Sequence, residues 1–173
     1  VDGDVADLLG SYVQRGLPVW VELGLQSARD ATLKRIHRGH TAADFDRALG
    51  ELRRRGIRVA AHVILGLPGE GSDEAMYTVD YLAAREIDGI KFHDLHIPRN
   101  CALLSEYLAG ELSLACEARY LSYVVDAIER LPEHTVIMRL TCDTPDSTRA
   151  LPLRPPSKAR FVNSVKEELL RRG

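Results

Sequence analysis

Three short stretches of this 173-residue chain end apolar runs in side chains that could do chemistry. They are Glu22-Leu23-Gly24-Leu25-Gln26-Ser27, then His62-Val63-Ile64-Leu65-Gly66-Leu67-Pro68-Gly69-Glu70, then Lys91-Phe92-His93-Asp94-Leu95-His96. His93 and His96 offer imidazoles that titrate near neutrality, suited to general acid–base work or to hydrogen bonding a substrate. The rival reading of either is a core histidine bonded to backbone. With Asp94 between them they also suggest a metal site, but no third ligand stands at a convincing spacing, so no metal ligand is assigned. Alternation along a strand sends His93 to one face and Asp94 and His96 to the other, so the three need not form one cluster. Glu22 lies inside an apolar run and is costly to bury alone; it either reaches a bound molecule or pairs with a lysine or arginine. At Gly66 the backbone can approach a ligand closely, and Pro68 fixes the turn. A plain strand-to-helix turn is the alternative there.

The elements that must position these groups follow from periodicity. Val5 to Arg15 reads as a helix with Val5, Leu8, Leu9, Tyr12 and Val13 on one stripe, and Gly16 stops it. Val19 to Leu25 is a buried strand, and Ala31 to Ile36 a short helix. Thr41 caps a helix through Arg55 with Ala42, Phe45, Ala48, Leu49 and Leu52 inward. Arg53-Arg54-Arg55 places positive charge at that helix's C-terminus, where the dipole favours it. Ile57 to Leu65, nearly unbroken in its apolar run, predicts a parallel strand covered on both faces. Ser72 to Glu86 is a helix with Ser72 as N-cap, and Gly89 to Leu95 is a third strand. Strands alternating with helices in this way mark βαβ units, so the fold class is α/β with parallel strands. In such proteins ligands sit at the carboxyl ends of strands, and three polar endings in series point to one shared binding face.

After Pro98 the rhythm changes. Leu103 to Leu108 and Leu114 to Leu131 read as helices, Thr135 to Leu140 as a last strand, and Lys158 to Arg172 as an amphipathic helix. Thr141 to Pro156 reads as irregular. An open three- or four-stranded parallel sheet leaves an unpaired apolar edge. With the chain opening at Val1 rather than Met, this fits a fragment whose complete protein supplies further strands.

A net charge of −2 argues against a general nucleic-acid or membrane-surface binder. No apolar run approaches the ~20 residues of a membrane span, and no leader is visible, so the expected location is cytoplasmic. Cys101, Cys116 and Cys142 are too scattered for a disulfide framework or a close-spaced metal motif.

The three stretches, with Leu33-Lys34-Arg35-Ile36-His37-Arg38-Gly39-His40 between the first two, resemble radical S-adenosylmethionine enzymes. Within that superfamily the chain most resembles the YhcC-like group, near the Elongator Elp3 and coproporphyrinogen dehydrogenase branches. Arg139-Leu140-Thr141-Cys142-Asp143 is similar to an Arg-Leu-Thr-Gly-Asp segment of that group. The resemblance implies the C-terminal portion of a partial (βα)6 TIM-like barrel. Residues 1–98 would be its fourth to sixth strands, and 99–173 a mainly helical C-terminal extension packed on it.

It further implies S-adenosylmethionine as cofactor, with a 4Fe–4S cluster held by a Cys-x3-Cys-x2-Cys loop that this chain lacks. Those ligands are expected in a preceding segment, together with the loop that holds the methionyl amine. By the resemblance, Gln26 hydrogen-bonds the cofactor and Arg38 pairs its carboxylate, roles a neutral amide and a guanidinium fork suit. A strand-end cap and a solvent-exposed charge are their plain alternatives. His62, Ile64, Gly66, Leu67 and Pro68 match the adenine-contacting strand, although His62 stands where the superfamily often has Gly. Gly69 likewise stands where the superfamily has Glu, which leaves Glu70 without an assigned role. His93 and His96 would act on substrate, with Glu22, Asp94, Arg139 and Asp143 nearby, the last two equally readable as an ion pair.

The function so implied is part of an enzyme that reductively cleaves S-adenosylmethionine to a 5′-deoxyadenosyl radical and acts on an unidentified substrate. An electron-donor protein is the implied partner, and the fragment alone should be inactive. Two other readings compete: a cluster-free binding or scaffold module on the same fold, and a βα-barrel enzyme binding phosphate at the Gly66–Gly69 turn.

Overall fold

The computed structural model describes residues 1–141, 147–152 and 157–173. Its first half alternates helix and strand: α1 (Gly3–Gln14), β1 (Trp20–Gln26), α2 (Asp30–Arg35), α3 (Ala42–Arg53), β2 (Arg58–Leu65), α4 (Ser72–Ala83) and β3 (Gly89–Asp94). There follow β4 (Ile97–Pro98), α5 (Ala102–Leu108), α6 (Glu117–Arg130), β5 (Val136–Arg139), β6 (Arg149–Leu151) and α7 (Lys158–Arg172). One sheet runs β1-β2-β3-β5, every pair parallel. Its fourth strand comes from beyond Pro98, after α5 and α6 have crossed back.

Local chemistry explains where the helices start. The Asp2 carboxylate accepts the Asp4 amide at 3.0 Å, and Ser157 Oγ accepts the Arg160 amide at 3.3 Å. Thr41 and Asp44 form a reciprocal capping box, the Asp44 carboxylate accepting the Thr41 amide at 2.7 Å. The N-cap of α4 is Gly71, one residue before the expected Ser72; Glu74 satisfies the Gly71 amide at 2.9 Å, so no hydroxyl cap is needed.

Alternate residues of the strands point into one apolar layer. Val59, Ala61, Val63 and Leu65 of β2 and Ile90 and Phe92 of β3 are buried there. The layer is closed by Phe45, Leu49 and Leu52 of α3, Met76, Val79 and Leu82 of α4, and Tyr120, Val124 and Val125 of α6. Phe161 of α7 stacks on Tyr120 with ring centroids 5.2 Å apart.

Three expectations are corrected. The stripe on α1 does not face inward as a whole: Val5, Leu8 and Tyr12 are exposed, while Ala6 and Gly10 are buried. Gly10 lets α1 approach Arg55, whose Cβ lies 3.1 Å from where a Gly10 Cβ would stand. Second, β2 is not covered by helices on both faces; its His62 and Ile64 are half-buried on the other side. Third, Thr141 to Pro156 is not wholly irregular, because Arg149–Leu151 pairs antiparallel with Ile97–Pro98. Two- and three-residue strands carry too little periodicity to be read from sequence. The arginine cluster does more than meet a dipole: Arg55 Nε donates to Asp7 at 2.7 Å, and Arg53 donates to the Glu86 carbonyl at 2.6 Å.

Candidate functional site

Parallel register brings the sequence-predicted groups onto the second face of the sheet. Glu22 pairs with Ala60, Gly24 with His62, His62 with Lys91, and Ile64 with His93. At the amino-terminal end this face is apolar: a Cβ on Gly89 would stand 3.1 to 3.3 Å from Trp20, Met138 and Ala60. One row up, at Gly24, His62 and Lys91, it turns polar, and Glu22 reaches that row from the row of Ala60 and Gly89. Glu22 receives a hydrogen bond from Lys91 Nζ, and a second carboxylate oxygen lies 2.7 Å from His62 Nε2. The Lys91 ammonium holds the Glu22 carboxyl below the usual glutamate range; partial burial opposes this and the His62 contact adds to it. Glu22 is therefore paired, the second of the two options its position left open.

The His62 ring stacks on that of His93, centroids 5.4 Å apart and planes at 27°. Burial is the main cause that pushes His93 down to about 4; the charges of His62, Arg139 and Lys91 act in the same direction and Asp94 against it. His93 is thus neutral at neutral pH. Its Nε2 is buried and has no hydrogen-bond partner among the described residues. His96 is elsewhere: its side chain is 6% exposed and its Nε2 lies 2.6 Å from Asp94. The other Asp94 oxygen accepts from Thr141 Oγ1 at 2.9 Å. Asp94 shares the wall of a 130 Å³ cavity with Leu65, Cys116, Tyr120 and Phe161, toward the helices rather than the open face. His93 and His96 belong to separate networks. Asp143 lies outside the described residues, and Arg139 ends β5 level with Lys91.

At the carboxyl end of β1 the strand bulges between Gly24 and Gln26, and Gln26 takes φ +67°. This left-handed backbone swings its side chain back over Gly24. Arg38, from the turn after α2, reaches the same spot, its Nη2 3.4 Å from the Gly24 carbonyl. A Cβ on residue 24 would stand 2.5 Å from Arg38 Nη2 and 2.6 Å from Gln26 Nε2. Glycine there creates a small cradle in which an amide and a guanidinium converge, a donor set that fits the carboxylate of an amino acid. At the end of β2, Gly66 has φ +82° and Leu67 and Pro68 are buried, so what that turn offers the open face is Ile64 and backbone.

Residues 1–82 match the family profile "Radical SAM superfamily", and residues 87–171 match "Radical_SAM C-terminal domain". The chain belongs to the radical S-adenosylmethionine superfamily. It is 37% identical over 168 residues to MJ0486 of Methanocaldococcus jannaschii, covering 96% of this chain and 52% of that protein. To YhcC of Escherichia coli it is 38% identical over 149 residues, 86% of this chain and 48% of YhcC, which places it in the YhcC-like group. The chain thus spans about half the length of these curated relatives. Elp3 of Methanocaldococcus infernus shares the fold, with a TM-score of 0.78 at 19% identity over 96% of this chain and 39% of that one.

Sequence reasoning passed over Gly24, Lys91 and Ser27 as functional candidates. Lys91 and Glu22 stand on alternate positions with His93 and Gly24, so strand parity could have grouped them. The Gly24 cradle depends on the positive φ of Gln26, for which a sequence carries no signal.

Proposed function

We propose that residues 1–173 form the carboxylate-binding and substrate side of a radical S-adenosylmethionine enzyme. The convergence of Gln26 and Arg38 over Gly24 carries this reading. Arg38 pairs the cofactor carboxylate, Gln26 adds a neutral hydrogen bond beside it, and Ile64 with the Gly66 backbone lines the adenine. S-adenosylmethionine held there would, on one-electron reduction from a 4Fe–4S cluster, supply a 5′-deoxyadenosyl radical, with methionine as the other product of C5′–S cleavage. Among the described residues no three His, Cys, Asp or Glu are grouped to hold a metal, and the cluster cysteines are assigned to the full-length protein outside this chain.

The polar level of the open face then meets the substrate. His93 has an imidazole nitrogen with no hydrogen-bond partner among the described residues, able to donate or accept one hydrogen bond according to its tautomer. Glu22 and Lys91 orient His62, and His62 backs His93. His96, fixed on Asp94, serves the helix side of the site. An electron-donor protein completes the assembly.

The test is S-adenosylmethionine binding by equilibrium dialysis to the cluster-reconstituted full-length protein, followed by assay for 5′-deoxyadenosine. Gly24→Ala pushes against the far ends of two flexible side chains, so its urea midpoint should stay close to wild type. Affinity should fall about tenfold in Gly24→Ala and in Arg38→Ala, as for loss of a charge-assisted contact. Unchanged affinity in both variants sinks the assignment of the cradle. A cluster-loaded wild type that binds but never forms 5′-deoxyadenosine sinks the catalytic reading, and a full-length protein that takes up no cluster favours the cluster-free module.

A further inference from the structure

Ser27 directly follows the strained Gln26 and is fully buried. Its hydroxyl donates to the Glu70 carboxylate at 2.6 Å, while the same oxygen accepts the Arg29 amide at 3.0 Å. Glu70 closes the turn leaving β2: its own amide donates to the Leu67 carbonyl at 2.9 Å, and Gly66 and Gly69 both sit at φ +82°. One residue beyond Ser27, the Ala28 amide donates to Thr78 Oγ1 of α4 at 3.0 Å. The loop leaving β1 is therefore tied twice to the next βα unit, and the shorter tie is a buried hydroxyl on a carboxylate, a strong class of hydrogen bond.

This tie sits where backbone strain is stored. Register breaks between Gly24 and Gln26, and a non-glycine residue keeps a left-handed conformation only when its surroundings over-determine it. Ser27 is the next residue along, and it is anchored to the turn that carries Gly66, Leu67 and Pro68. Glu70 also shows how a glutamate displaced by one position from the superfamily's usual place can still be used: the Gly69 turn swings it across to the neighbouring loop.

We propose that Ser27 and Glu70 are positioning residues whose hydrogen bond locks the Gln26–Arg38 cradle against the Gly66–Pro68 turn, so that both ends of one S-adenosylmethionine molecule are gripped at a fixed spacing. The proposal rests on the cofactor reading above. Both residues act through their neighbours: Ser27 holds Gln26 in its strained conformation, and Glu70 holds the turn.

Equilibrium dialysis of S-adenosylmethionine against the cluster-reconstituted full-length protein, with a urea midpoint for each variant, tests it. Ser27→Ala and Glu70→Leu should each weaken binding roughly tenfold, as expected for a lost hydrogen bond to a charged group. The double variant should be no worse than the worse single one, because both remove the same contact. Glu70→Gln keeps an acceptor oxygen and should stay within about threefold of wild type. Unchanged affinity in Ser27→Ala, while Arg38→Ala weakens binding, overturns the strap and leaves the cofactor reading standing. Losses that add in the double variant and follow a falling urea midpoint also overturn it, since they mark a structural contact only. If Glu70→Leu does not fold, the contrast between Ser27→Ala and Glu70→Gln decides alone. Wild type that fails to bind overturns the cofactor reading and the strap together.

Discussion

The two faces of the sheet are made by the same strands, one residue out of phase, and they have opposite character. On the helix side Val59, Ala61, Val63, Ile90 and Phe92 are all at most 1% exposed and apolar. On the open side Glu22, His62 and Lys91 keep side-chain exposures of 46, 25 and 15% and are joined by polar contacts. The first face gains its stability from burial of apolar area, which is non-directional. The second gains orientation: each polar group there fixes the ring or charge beside it, at little net stability. A parallel strand can thus serve a core and a site at once, because consecutive side chains never share a face.

Substitutions can sharpen or break that contrast. The largest expected effect is on the helix side, where Phe92→Ala should cost about 3–5 kcal/mol in urea unfolding. A cost below ~1 kcal/mol would mean that face is not the core. Next comes pH. His93 takes its proton near 6.5 when unfolded and near 4 when folded. Between those values the unfolded chain binds more protons, so stability falls as pH drops through the window, by about 1–2 kcal/mol for a group this partly solvated. Unfolding free energies measured from pH 7 to 4 should show this slope in wild type and lose most of it in His93→Gln; equal slopes would show that burial does not depress His93. The smallest effect belongs to Glu22→Gln. The half-exposed Glu22 is expected to contribute less than about 1 kcal/mol through Lys91, while the NMR signals of the His62 ring should move clearly. A multi-kcal/mol loss there would make the open face part of the core after all.

Much of this was legible without coordinates. The three strands, the helices that separate them and the Thr41 cap follow from period-2 and period-3.6 patterns and from side-chain capping, which are local. The grouping of Gln26 with Arg38 was legible through family resemblance and motif spacing. Other features were not. The stripe on α1 looked like a core face because Val5, Leu8 and Tyr12 recur at helical spacing, yet which flank packs is decided by Gly10 meeting Arg55. The run Ile57 to Leu65 looked doubly covered because Ala60 and Ile64 are as apolar as their neighbours. The parting of His93 from His96, by contrast, follows from strand alternation alone, and the structure keeps it: His96 meets Asp94 while His93 stacks on His62.

Sequence alone determined the α/β alternation, the parallel strands and the residue types available at each strand end, because those depend on patterns within a few residues. Tertiary structure decided which of those groups meet. Parallel register laid Gly24, His62 and Lys91 level with one another and put Glu22 one row below on the same face, within reach of both His62 and Lys91. A positive φ at Gln26 turned an amide toward Arg38, and the Gly69 turn carried Glu70 to Ser27 across 43 residues of chain. Contacts of that kind arise from register and backbone conformation acting at a distance, and no local pattern encodes them.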